Sequence, residues 1–120
     1  MKYMLLIHFD QDVWGKLSLA ERQGIYGEHV QLADQLTANG QYLAGHPLQP
    51  PPTTASVRIR DGKRLVTDGP FAETREQLGG YMLIEARDRD AAIAIAARVP
   101  GARMGAVEVR TVREGPPTEP

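Results

Sequence analysis

Apolar side chains fall on both parities of residues 2–9, with Tyr3, Leu5, Ile7 and Phe9 on one and Met4 and Leu6 on the other. That pattern predicts a strand covered on both faces and therefore central in a sheet. Residues 10–17 are polar and irregular and read as a loop. Ser18 followed by Glu21 has the spacing of a capping box, and a helix is predicted beyond it. Its apolar stripe runs through Ile25, Leu32, Ala33 and Leu36, and Asn39-Gly40 closes it.

Residues 41–45 read as a short strand, ended by His46-Pro47 and the stiff Pro50-Pro51-Pro52. Residues 54–60 and 63–67 flank Asp61-Gly62, a dipeptide suited to the positive dihedrals of a two-residue hairpin turn. Residues 79–85 resume the alternation, with Tyr81, Leu83 and Glu85 opposite Met82 and Ile84. A second helix over 91–98, capped by Asp88 or Asp90, carries the small face Ala92, Ile95, Ala96 and Val99, and residues 104–113 alternate as a last strand. The succession predicts an α+β, ferredoxin-like βαββαβ domain over residues 1–114 with an inserted β-hairpin. Residues 115–120 hold three prolines and no large apolar side chain, and are predicted to be a disordered tail.

Composition narrows the chemistry. At 120 residues, with 42% hydrophobic and 24% charged content, the chain suits one domain. Fourteen basic against fifteen acidic residues leave a net charge of -1, which disfavours nucleic acid and acidic lipid as partners. The absence of cysteine removes disulfides and thiolate chemistry and fits a reducing compartment. No segment has the roughly 20 apolar residues that span a bilayer. A cytoplasmic protein, with no membrane partner, is therefore expected. Because two helices cover one face of the sheet while the first strand is apolar on both, a second copy of the chain is the expected cover, giving a homodimer.

Among groups that could carry chemistry, His29 lies inside the apolar stripe of the first helix and faces the sheet. It reads either as a core histidine bonded to a carbonyl or as a general acid or base titrating near neutrality. His8 ends the first strand beside Asp10 and Asp12, on the parity of Met4 and Leu6. Three histidines with no i, i+4 pair make no dedicated metal site, and no motif calls for a cofactor. In residues 66–76, Asp68 could accept a backbone bond two residues on and Phe71 could anchor the loop in the core. Alternatively, Asp68 and Glu73 supply carboxylates and Arg75 an anion-binding guanidinium at a pocket mouth, with Tyr81 as a further substrate contact.

The run Asp68-Gly69-Pro70-Phe71-Ala72-Glu73-Thr74-Arg75-Glu76-Gln77-Leu78-Gly79-Gly80 resembles the YCII-related proteins of the DGPF group. The likeness extends over residues 1–114 and includes the opening residues 1–7, the turn at 45–50, the hairpin at 57–68 and residues 97–109. It implies a ferredoxin-like subunit that pairs through its sheets into a dimeric α/β barrel. It also implies that His29 matches the histidine of a His-Asp pair proposed in shorter relatives. The pair is incomplete here, since Ala38 and Asn39 stand where its aspartate is expected. One relative in a chloroaromatic degradation pathway is a dehydrochlorinase, and many members neighbour extracytoplasmic-function sigma factors in their genomes.

Two functional readings follow. The first is a lyase-type enzyme acting on a small molecule by acid/base catalysis in a dimer-associated pocket, with His29 as base and Asp68 or His8 supporting it. The alternative is a non-catalytic dimeric module, ligand-binding or regulatory and linked to sigma-factor signalling, in which Arg75, Tyr81 and the loop of Asp68, with Glu73, recognise a small molecule or a partner protein. A third reading makes the Asp68 loop purely architectural.

Overall fold

The computed structural model describes residues 1–118. Strand β1 (Lys2–Asp10) buries Tyr3, Leu5 and Ile7, while Met4, Leu6 and His8 lie on the opposite parity and stay partly exposed. It is followed at once by a five-residue helix, α1 (Gln11–Gly15), where the residue pattern predicts only loop. Asp10 starts α1 by accepting hydrogen bonds from the backbone N–H groups of Asp12 and Val13, at 2.9 and 3.2 Å. A single turn is too short to carry an amphipathic signature, which is why the residue pattern reads as loop.

The long helix α2 (Leu19–Ala38) begins on the predicted capping box. The Glu21 N–H donates to Ser18 Oγ at 3.1 Å, and the Ser18 N–H donates to Glu21 Oε1 at 3.0 Å. Beyond it come β2 (Tyr42–Pro47), the hairpin strands β3 (Ala55–Arg60) and β4 (Lys63–Asp68), β5 (Glu76–Glu85), α3 (Arg89–Ala96) and β6 (Gly105–Thr111). Asp88 caps α3 through the Ala91 N–H at 2.8 Å.

Four strands form one sheet in the order β2-β5-β1-β6, with every neighbouring pair antiparallel. The core lies between one face of this sheet and the helices. Tyr3, Leu5, Ile7, Met82 and Ile84 meet Leu32 and Leu36 of α2, Ala92, Ile95 and Ala96 of α3, and Val99. The other face carries Met4, Leu6 and Leu83, none of them fully buried.

Strands β3 and β4 make a separate two-stranded sheet. Asp61 and Gly62 turn it with φ of 51° and 73°. It is tied at its root by the Gly69 N–H on the Thr54 carbonyl at 2.6 Å and the Ser56 hydroxyl on the Gly69 carbonyl at 2.8 Å. Val57, Ile59, Leu65 and Val66 remain exposed along it.

The dimeric α/β barrel expected of the fold is overturned. The protein is a mixed α+β fold with two sheets, and neither is closed or curled among the described residues. A barrel closes or curls its sheet so that the strand edges pair away. This sheet has four strands and leaves β2 and β6 as edges. Of the tail expected over 115–120, residues up to 118 carry no helix or strand, and the last two lie outside the described residues. No helix among the described residues is long and apolar enough to cross a membrane.

Candidate functional site

The N-terminal half of α2 does not rest on the sheet. Both buried residues of the helix, Leu32 and Leu36, lie in its C-terminal half. The first half roofs a cavity of about 430 Å³, lined from above by Arg22, Ile25, Tyr26 and His29. Ile7, Phe9, Pro47, Gly79 and Gly80 line it from the sheet, Trp14 and Gln11 from α1, Leu48–Pro51 from the segment after β2, and Val99–Gly101 from the segment after α3.

The sheet beneath α2 carries a slip in register. Ile7 pairs with Gly80 but His8 pairs with Leu78, so Gly79 is an extra residue in β5. A Cβ on Gly79 would lie 2.3 Å from Cδ2 of Phe9, so the missing side chain is the seat of the Phe9 ring. Trp14 lies over that ring at 4.8 Å between centroids, and the Arg22 guanidinium stacks in turn on Trp14 at 5.3 Å. Gly79→Ala is expected to displace the Phe9 ring toward Trp14 and the cavity and to cost about 1–3 kcal/mol. Chemical denaturation and the emission of Trp14, the one tryptophan of the chain, read both effects. Unchanged stability together with unchanged emission would mean that the ring has another seat.

His29 is half-buried, and its ring makes no hydrogen bond to any described residue. Burial alone pushes its pKa below the ordinary 6.5, so the imidazole is neutral at pH 7 and keeps a lone pair for a proton. Among the described residues no Asp or Glu lines the cavity. His46 contributes to the wall, but its Nδ1 lies 2.9 Å from the Tyr81 hydroxyl, on the face of the sheet away from the helices.

The other residues singled out in the sequence lie elsewhere. His8 Nε2 sits 2.5 Å from Glu108 Oε1, on the helix-free face that its parity predicts. Asp68 ends β4, exposed and outside the cavity. The backbone bond considered for it cannot form, because the residue two positions on is Pro70, which has no N–H. Phe71 is 81% exposed and does not anchor the loop. Arg75 donates to Asp10 at 2.7 Å and reaches Asp12 at 3.7 Å, and its carbonyl accepts from the Gln11 N–H at 2.9 Å. Its contacts therefore hold the turn that carries Trp14. Partial burial raises the Asp10 pKa, but the Val13 and Asp12 N–H groups and the Arg75 guanidinium outweigh it and hold the carboxyl below its usual value. Glu73 is exposed and, like Arg75 and Tyr81, does not line the cavity.

The sequence reading passed over Arg22, Trp14 and Phe9 as site residues. Arg22 stands seven residues before His29, two helical turns along the same face, and that spacing was the available signal. Trp14 was hidden by the reading of 10–17 as loop.

Fold and cavity together define a small α+β protein with a helix-roofed, mostly apolar pocket. The chain belongs to the YCII-related family, whose domain model matches residues 1–115. It is 33% identical over 118 residues to an uncharacterized protein of Rhizobium meliloti (strain 1021), covering 92% of this chain and 90% of the relative. Among solved structures it is similar to 5-chloro-2-hydroxyhydroquinone dehydrochlorinase from Burkholderia phenoliruptrix AC1100 in complex with 2,5-dihydroxybenzoquinone. That likeness has a TM-score of 0.55 at 17% identity and covers 96% of both chains. At that identity it speaks to the fold.

Proposed function

We propose that the cavity under α2 binds a small, ring-sized organic molecule and that His29 acts on it as a general base in a lyase-type reaction. The observation that carries this is a half-buried imidazole, unbonded to any described residue, on the roof of a mostly apolar cavity. His29 takes a proton from the substrate, the freed electron pair forms the new double bond, and a leaving group departs with the electrons of its own bond. The imidazolium then returns the proton to water at the cavity mouth. An elimination that expels a stable anion such as chloride needs no general acid. This suits a cavity without a carboxylate and leaves no step for Asp68 or His8. The structural neighbour that is a dehydrochlorinase adds support for this reaction class.

The partly exposed apolar face of Met4, Leu6 and Leu83 supports a homodimer as the working form. Sedimentation at micromolar concentration checks that, and a monomer there would count against it. The direct test of function is incubation with 5-chloro-2-hydroxyhydroquinone, following chloride release, and titration with 2,5-dihydroxybenzoquinone, following Trp14 emission. Chloride release above the uncatalysed rate supports the enzyme. The second reading, a ligand-binding regulatory module linked to sigma-factor signalling, is favoured by the absence of an acid partner for His29 among the described residues. Its signature is saturable binding with no turnover.

A further inference from the structure

The cavity roof holds a fixed positive charge that no described residue neutralises. Arg22 has no carboxylate partner among the described residues, and no Asp or Glu lines the cavity it borders. Its guanidinium has five N–H donors. Nη2 donates to the Trp14 carbonyl at 3.0 Å, and Nε is buried with no acceptor. No described residue accepts from Nη1. A guanidinium stacked on an indole in an apolar pocket is poorly hydrated, and it gains most from an anion that brings two oxygens to its fork.

We infer that the ligand of this cavity is an organic anion, a carboxylate or equivalent oxyanion on an apolar body, with its charged end on Arg22 and its body extending toward His29. The inference rests on the small-molecule reading above and narrows it to a substrate class. Seven residues along a helix separate the two groups by about 10 Å of axial rise, which matches the length of a substituted aromatic acid. Phe9 and Trp14 line the cavity with aromatic surface beside that body, while no carboxylate among the described residues lines it to repel the charge. The fixed cation would also draw electron density toward the anchored end and orient the opposite end to the base.

Calorimetric titration with 4-hydroxybenzoate, 2-naphthoate and their primary amides tests it, with Trp14 emission reporting whether each probe enters the cavity. The wild-type protein should bind an acid at least about tenfold more tightly than its amide. Arg22→Gln should abolish that preference, and Arg22→Lys, which keeps a point charge without the fork, should retain part of it. A brace that only held α1 against α2 would leave the acid-to-amide ratio unchanged. Amides that bind as well as acids, or a preference that survives Arg22→Gln, would overturn the inference while leaving the small-molecule reading intact. Silence of Trp14 toward all four probes at millimolar concentration would remove both together. If Arg22→Gln does not fold, the Arg22→Lys ratio and the loss of acid affinity with rising salt in the wild-type protein decide the matter.

Discussion

Glutamine in place of His29 is expected to lower turnover about 10²- to 10⁴-fold, the usual contribution of a positioned acid/base group, while leaving ligand binding and, above about pH 7, the melting transition close to wild type. Glutamine fills similar space and keeps a polar end toward the cavity, so packing under α2 is preserved. The imidazole has no bond to a described residue to lose. A turnover within a few-fold of wild type would remove His29 from the chemistry.

The pH dependence has a defined sign. Burial lowers the pKa of His29 below 6.5, so the acid limb of kcat/KM should fall below that value and vanish in the glutamine variant with the activity. In stability the unfolded chain takes up the proton first. As pH falls from 6.5 through the lowered folded-state value, folding stability should therefore decline, whereas above 6.5 this contribution is fully present. Arg22, Tyr26 and His46 share the cavity with His29 and remain in the variant, so the difference between the two melting profiles isolates His29. Profiles that coincide between pH 5 and 7 would contradict its burial.

The second large effect is on stability. Leu36→Ala should cost about 2–5 kcal/mol, read as a lowered denaturant midpoint with an unchanged slope. Leu36 is fully buried, and with Leu32 it fixes α2 to the sheet, because the first half of the helix spans a cavity. A helix of 20 residues held at one end lets its roof half move once the anchor is cut. Affinity for cavity ligands should fall with the stability. A loss under about 1 kcal/mol would mean that α2 is held from its other half.

Many elements were legible because their signals are local. Alternation in β1 and β5, the Ser18–Glu21 box, the Asp61-Gly62 turn and the Asp88 cap all depend on residues within one element or one turn of each other. His29 was legible for the same reason, since helical spacing alone puts it on the face of Leu32 and Leu36. Phe71 was misread because a large aromatic beside Pro and Gly looks like an anchor, whereas its exposure depends on where the hairpin root lies. His8 and Asp68 became candidates through polarity and position at strand ends. Whether they share a pocket with His29 depends on which face and which sheet those strands occupy.

The sequence by itself determined the alternation of strands and helices, the inserted hairpin, the inward face of α2 and the absence of thiol chemistry, because periodicity, caps and composition act over a few residues. The tertiary structure alone decided that the sheets stay open and that one extra residue at Gly79 makes room for Phe9. It also decided that Arg22, Trp14 and His29 meet around one cavity while His8 and Asp68 do not. Those outcomes follow from pairing β1 with β5 across some seventy positions of chain, where a one-residue slip changes which side chains face the helix.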